Sequence, residues 1–417
     1  MRNIKKEITF ICADNVERQC CEPVALEAEK RGYKTKFTDN QFEKCEIGFY
    51  LSHVNYPKYS KFSIVSLHDL GQQHGEWPVM WKNEFWSHFD IAFLPSKEWA
   101  DMWHNASCYN FVRPRSGCYL SGWIKADKTI MQDFSIENEK IIKEYGIDTS
   151  KKTVLYAPAW EWDSHQLEIA NAVKDLDVNL IIKQFPFDSR VFPWEVKLIE
   201  ETHEKTRALN LDNVFILDSK INIFNVIQIA DVLVSEESST LSEAMLLGKN
   251  VIAVEDWLVP DSYPKPARRP ECFYDFAIKI KKNDLRNTIK KIISDESYKE
   301  KVIAYRNENF PNIGNAAKTV MDVLDNVLYG ANNEVPRIEE LPLVPTPAEY
   351  KKTVARRKKV MRHIYVKKNF VDKNQLLLGL WNFLRMIKHS LKKSGGGYNS
   401  IVYLQGNYCA PSLCEAA

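Results

Sequence analysis

The sequence predicts an α/β protein: two consecutive doubly wound units facing across a cleft, followed by a basic helical tail. Three observations predict it. Short apolar runs alternate with helix-period segments from the N-terminus onward, a βαβ rhythm that implies parallel sheets with helices on both faces. A charged helical stretch near residues 129–145 separates two such series. Finally, 14 of the 57 basic residues but one of the 55 acidic ones (Asp372) fall between Lys351 and Lys393, which leaves 43 basic and 54 acidic residues elsewhere. The body is therefore acidic and the tail strongly basic.

In order, "EITFICA" reads as a strand and "NVERQCCEPVALEAEKRGY" as a helix closing at Gly32. "KTKFTD", "IGFYLS", "FSIVSLH" and "IAFLPS" follow as strands of the first unit. After the charged helix, "TVLYAPAW", "NLIIKQFPF", "NVFILDS", "DVLVSEES" and "NVIAVED" are strand-like, with amphipathic segments between most of them. The proline-rich stretch "NNEVPRIEELPLVPTPAEY" has no periodicity and reads as a linker. The expected organisation is a first domain over residues 1–128, a second over 129–331, a linker over 332–350 and the tail over 351–417.

With 417 residues, 45% hydrophobic and 27% charged, the composition is that of an ordinary globular protein with room for two cores. The nine cysteines form no CxxC pair and no zinc-ligand spacing with histidine, and their scatter points to a reducing cytosol. The apolar run from Ile8 to Cys12 is too short for a signal peptide. No stretch approaches the roughly 18 apolar residues of a membrane span.

Ligands of open parallel sheets sit beyond the carboxyl ends of the strands, so residues there are the candidates. The strand Val232–Val234 runs into a turn of Ser235, Glu236, Glu237, Ser238, Ser239 and Thr240, then a helix that Gly248 closes. Two readings are open. The hydroxyls cap the helix, with Glu243 completing a capping box, or the turn holds a phosphate and Glu243 accepts from ribose hydroxyls. After "FSIVSLH", His68 follows a strand of the first unit, with Asp69 beside it and Gly71 and His74 in the loop. A histidine there suits a general base on an acceptor hydroxyl, oriented by Asp69, or else is bonded within the loop. Trp160 and Glu161 end another strand, where they either contact a base or acceptor or cover the sheet's top edge. Lys183, at the end of "NLIIK", either meets a pyrophosphate or is solvated.

Taken together these segments resemble the CDP-glycerol glycerophosphotransferase family, teichoic-acid-type enzymes with a GT-B fold of two Rossmann-like domains. The family's H-G-T segment is similar to His68 and its loop. Its G-x-P-R-x-D is similar to Gly122-Trp123-Ile124-Lys125-Ala126-Asp127, and its Y-A-P-T-W-R to Tyr156-Ala157-Pro158-Ala159-Trp160-Glu161. Its S-D-Y-S-S resembles Ser235-Glu236-Glu237-Ser238-Ser239, and the L-x-x-P-V-I beyond resembles Leu247 to Ile252. The resemblance implies His68 as catalytic base and the turn of Ser238, Ser239 and Thr240 as the donor-diphosphate site. It also shows departures. Phe185 stands where the family's K-x-H-P has histidine, Glu161 where it has arginine, and Asn250 where it has proline.

The expected function is transfer of a glycosyl or polyol-phosphate group from a CDP-glycerol-like donor to a saccharide or lipid-linked acceptor in bacterial cell-surface polysaccharide biosynthesis. A UDP- or CMP-sugar donor is the alternative, and an inactive scaffold in a membrane polymerase complex a third. The activated nucleotide is a substrate, and neither cofactor nor metal is expected, because helix N-termini and lysine neutralise phosphates and no DxD motif is present. In the tail, Leu377, Leu380, Trp381, Leu384 and Ile387 share one helical face among Lys and Arg. That pattern suits an anionic membrane surface contacted through residues 351–393; packing on the body, oligomerisation and nucleic-acid binding compete with it. No nucleic-acid module accompanies the basic run, so no nucleic-acid partner is expected. The predicted location is cytoplasmic, peripheral to the inner face of the membrane.

Overall fold

The computed structural model of the chain describes residues 4–12, 15–51, 55–67, 70, 86–161, 164–187, 189, 193–236, 238–257, 275–295, 297–331, 335–371, 373–381 and 383–384. His68, Asp69, Gly71 and His74 lie outside the described residues, as does Glu237.

The first domain is built on a six-stranded parallel sheet of β1 (Glu7–Ile11), β2 (Lys34–Thr38), β3 (Cys45–Tyr50), β4 (Ser60–Ser66), β5 (Ile91–Leu94) and β6 (Cys118–Leu120). Its strand order is β2-β1-β3-β4-β5-β6. Helices α1 (Asn15–Lys30), α2 (Lys97–Ala106) and α3 (Ile124–Met131) connect or follow the strands. Ile8 and Phe10 of β1 are buried in one cluster with Cys20, Cys21, Val24 and Ala28 of α1, so the adjacent cysteines serve as small core residues. The expected charged helix is in fact two. α3 stops at Met131, and α4 (Ser135–Tyr145) begins after a break of three residues and ends at Gly146, whose φ of 68° gives a left-handed cap.

The second sheet contains β7 (Lys152–Tyr156), β8 (Val178–Ile182), β9 (Val214–Ile216), β10 (Val232–Ser235), β11 (Asn250–Val254) and β12 (Ile278–Ile280) in the order β12-β11-β10-β7-β8-β9, again all parallel. Between and after these strands come α5 (His165–Val173), α6 (Pro193–Arg207), α7 (Ile223–Ile229), α8 (Thr240–Leu246), α9 (Leu285–Ile293) and α10 (Ser297–Asn309). Counting outward from the middle, the order reverses between β7 and β10. Two loops part in opposite directions there and leave a crevice above the strand ends.

Two segments pack where local pattern does not place them. Helix α11 (Ala316–Tyr329) follows the second domain in the chain but crosses back to the first. Ala316, Val320, Met321 and Leu324 enter the core formed by β1 and α1. Arg31 bonds Asp325 at 3.0 Å and Asp322 at 2.8 Å, and Asp127 accepts from the Ala316 and Ala317 amides at 3.1 and 2.7 Å, which satisfies the first turn of α11. The stretch that reads as a linker is strapped to the first domain from Arg337 to Val344. The Ile338 amide donates to the Cys118 carbonyl at 2.9 Å beside an antiparallel bridge between Tyr119 and Arg337, and the Val344 amide donates to Cys108 at 3.0 Å.

Helix α12 (Ala348–Val366) continues past the segments that lead into β6, β4 and β3. Tyr350 meets Tyr109 edge-on at 5.5 Å, the Tyr56 hydroxyl donates to the Met361 carbonyl at 2.8 Å, and Tyr365 meets Phe42 at 5.3 Å. These are the approaches to the strands, opposite the carboxyl ends. Among the described residues no helix is long and apolar enough to cross a membrane.

Candidate active site at the second-sheet switch point

The residues singled out in the second domain gather around the carboxyl ends of β7, β8 and β10. The serine-rich turn is tied to the end of β7. The Ser235 hydroxyl lies 2.9 Å from the Ala157 carbonyl and 2.5 Å from Glu236 Oε2, and the Thr240 hydroxyl donates to the same carbonyl at 2.8 Å. Glu236 Oε1 accepts from the Ala159 and Trp160 amides at 2.6 and 3.2 Å. The turn and the β7 loop thus hold each other.

The capping box anticipated between the turn's hydroxyls (Ser238, Ser239 or Thr240) and Glu243 does not form. Ser239 has helical backbone angles and makes no side-chain cap bond, while Ser238 Oγ accepts from the Thr240 amide at 3.3 Å. Glu243 faces the other way: its carboxylate makes an ion pair through Oε1 with Lys125 of α3, in the first domain.

Lys183 is buried at the end of β8, only 5% exposed, so it is not a solvated loop lysine. Its ammonium donates to the Ser219 and Gln184 carbonyls at 2.9 and 3.2 Å. Burial pulls its pKa down from the ordinary 10.5 to about 8, against the opposing pull of Glu243 and Asp218. Lys183 and Glu243 therefore share one electrostatic environment beside the turn.

Glu161 points into the domain, not toward the strand-end crevice. It is fully buried and accepts from Tyr156 at 3.1 Å, from Gln184 Nε2 at 2.7 Å and from the Gln166 amide at 3.2 Å. Its pKa is raised by burial. The reason is the turn after β7, where the Glu161 amide donates to Glu195 of α6 at 3.0 Å and swings the side chain inward. Trp160 stays nearer the surface in an aromatic cluster, 4.9 Å from Phe187 and 6.1 Å from the parallel ring of Trp194. Phe185 packs on Phe187 at 4.9 Å and is 44% exposed. Among the described residues, no group of three or more His, Cys, Asp and Glu side chains is arranged to hold a metal ion.

Sequence reasoning singled out the segment Gly122 to Asp127, where Gly122 suits a tight turn, but assigned no role to Lys125 or Asp127. Gly122 turns at φ +87° where a Cβ would overlap the Pro311 carbonyl oxygen, Lys125 reaches Glu243, and Asp127 caps α11. The signal was the motif itself; what it touches lies elsewhere in the chain.

The profile of the family described as CDP-glycerol:poly(glycerophosphate) glycerophosphotransferase matches residues 78–324, well over half of the chain. The chain belongs to that glycerophosphotransferase family. As a member it is a transferase, and its two parallel six-stranded sheets are those of the GT-B fold. Solved structures bear the same fold at low identity. The wall teichoic acid polymerase TagF superposes with a TM-score of 0.52 at 15% identity, over 78% of this chain and 90% of that one. The S. aureus MnaA–UDP structure gives 0.54 at 14%, over 81% and 100%. A glycosyltransferase from Rickettsia africae gives 0.50 at 12%, over 79% and 100%. No curated protein sequence matches the chain. Within this family member, the matched region runs from just after His74 through the serine-rich turn and into α11, so it takes in the whole second-sheet site.

Proposed function

We propose that this glycerophosphotransferase-family protein moves a glycosyl or polyol-phosphate group from a CDP-glycerol-like donor to a saccharide or lipid-linked acceptor during assembly of a bacterial cell-surface polysaccharide. The observation that carries the reading is that buried Lys183, which feels the charge of Glu243, and the Ser235–Glu243 segment stand at the strand ends beside the second sheet's switch point, inside the family-matched region. A structure of TagF soaked with CDPG, which has a TM-score of 0.53 to this chain at 14% identity, supports the same donor class.

In this mechanism Lys183 and the turn of Ser238, Ser239 and Thr240 take the donor's phosphates, with Ser235 and Glu236 fixing the turn's position. A buried ammonium in a low-dielectric site stabilises the leaving phosphate more strongly than it would in water. Glu243 accepts from the ribose hydroxyls. His68 removes the proton of the acceptor hydroxyl, Asp69 steadies the imidazolium that results, and His74 and Gly71 belong to the acceptor loop. No metal or cofactor enters the scheme; the nucleotide is the leaving group.

A specific observation favours a UDP- or CMP-sugar as the second reading. Phe185 occupies the family's histidine position as part of an aromatic cluster, and an exposed ring face suits a sugar better than a phosphate. The tail would bring the enzyme to the cytoplasmic face of an anionic membrane. Phe370, Leu376, Leu380, Phe383 and Leu384 are exposed among its basic residues.

The test is nucleotide release from CDP-glycerol, CDP-ribitol, UDP-sugars and CMP-sugars. Turnover with a CDP-polyol supports the first reading and turnover only with a sugar donor supports the second; binding without turnover of any donor sinks both. His68→Ala is expected to lower turnover of the active donor by about 10²–10⁴-fold while leaving nucleotide binding intact. Unchanged turnover removes His68 as the base.

A further inference from the structure

The ion pair between Lys125 and Glu243 joins the two domains. Lys125 lies on α3, which packs on α1 and α11 of the first domain, while Glu243 lies on α8 beside the donor turn. Both are buried, 6% and 1% exposed, and the Lys125 ammonium also lies 5.4 Å from the Phe224 ring and 5.8 Å from that of Trp123. A buried ion pair carries a desolvation cost that stability alone seldom recovers. Glu243 Oε2 is buried and has no hydrogen-bond partner, a costly state for a carboxylate oxygen.

We propose that Lys125 is a positioning residue of the donor site: holding Glu243 Oε1 from across the domain seam, it presents Oε2 as a fixed acceptor for the hydroxyls of the donor's ribose. The proposal rests on the reading of Glu243 as the ribose contact. The chemistry selects the ligand group. The carboxylate's charge repels a phosphate, whereas a neutral O–H donor satisfies Oε2 directly. In a nucleotide diphosphate that donor lies next to the phosphates, as Glu243 lies next to Lys183 and the turn. Because the clamp comes from the first domain, a donor bound in the second is read through a residue of the first.

Isothermal titration of the full chain with CDP and UDP, and with their 2′,3′-dideoxy counterparts, tests this. The wild-type protein is expected to prefer the ribonucleotide it binds by roughly tenfold or more, the value of a hydrogen bond to a charged group. E243Q should remove that preference. K125M should shrink it to less than about threefold and K125R should keep most of it, with no further loss in the K125M/E243Q double variant. Were Lys125 only a clasp between domains, K125M would weaken ribo and dideoxy forms by the same factor and keep the preference, which overturns the proposal. A preference that survives E243Q overturns the ribose reading itself, whatever K125M does. Wild-type protein that binds neither nucleotide, or both forms alike, overturns both. If K125M does not fold, K125Q, which keeps a neutral donor at similar volume, decides by the same comparison.

Discussion

At the scale of single residues, Lys183 shows how burial turns an ordinary strand-end lysine into a titratable group. Its carbonyl partners at Ser219 and Gln184 hold the ammonium, but loss of water lowers its pKa to about 8. A phosphate binds the protonated form. Affinity for a nucleotide diphosphate is therefore expected to fall as pH rises from 7 to 9, with a midpoint near 8 in the free protein. Lys183→Met should weaken binding at pH 7 by about tenfold or more and flatten that profile; a titration series in which wild type and variant share one pH dependence would exclude the role. The ligand-free protein obeys the opposite sign. The folded pKa lies below the unfolded value of 10.5, so this group makes the fold more stable as pH climbs from about 8 toward 10.5. The position of Lys183 at a strand end is readable from "NLIIK". Its burial is not, because the carbonyl of Ser219 that covers it arrives after another strand and helix.

At the scale of elements, ten of the strands are legible as apolar runs, and β6 and β12 are not. Both are three-residue strands at the end of a sheet's strand order, too short to register as an apolar run, and the outer side of β6 is covered by the segment at Arg337 and Ile338 instead of by another strand of the sheet. The turn from β6 into α3 is the element that joins the domains. Gly122 adopts φ +87° against the Pro311 carbonyl, and Asp127 then caps α11. Gly122→Ala meets both a disfavoured backbone angle and a steric overlap. It is expected to cost about 1–3 kcal/mol or more in urea unfolding, and an unchanged midpoint would show that the turn relaxes freely. By sequence, the serines and threonine of the donor turn suit a helix cap or a phosphate cradle. In the fold the Ser235 and Thr240 hydroxyls both hydrogen-bond the Ala157 carbonyl, which ties the turn to the end of β7.

At the scale of the whole molecule, the chain passes from first domain to second and returns. Helix α11 completes the first core, and the extended segment after it lies along β6 before α12 crosses the approaches to the strands. The tail's exposed apolar residues therefore stand away from the strand carboxyl ends, where the donor site is. A chain ending at residue 373 retains α12 and its contacts with Tyr56 and Phe42. It is expected to keep its thermal stability and its turnover with a water-soluble acceptor, and to lose co-sedimentation with vesicles containing phosphatidylglycerol. Equal co-sedimentation of the two chains would place membrane contact elsewhere.

Periodicity, which depends on neighbours a few residues apart, was enough to establish two doubly wound units, their strand ends and the candidate residues there. The partners of those residues depend on the path of the chain. Lys125 and Glu243 are 118 positions apart and Arg31 and Asp325 are 294 apart, and no local pattern marks either pair. So the sequence determined which groups stand at the mouth of each sheet, while tertiary packing decided which stay available there. It turned Glu161 inward, buried Lys183 and left one oxygen of Glu243 without a partner, since burial and desolvation are properties of the assembled fold.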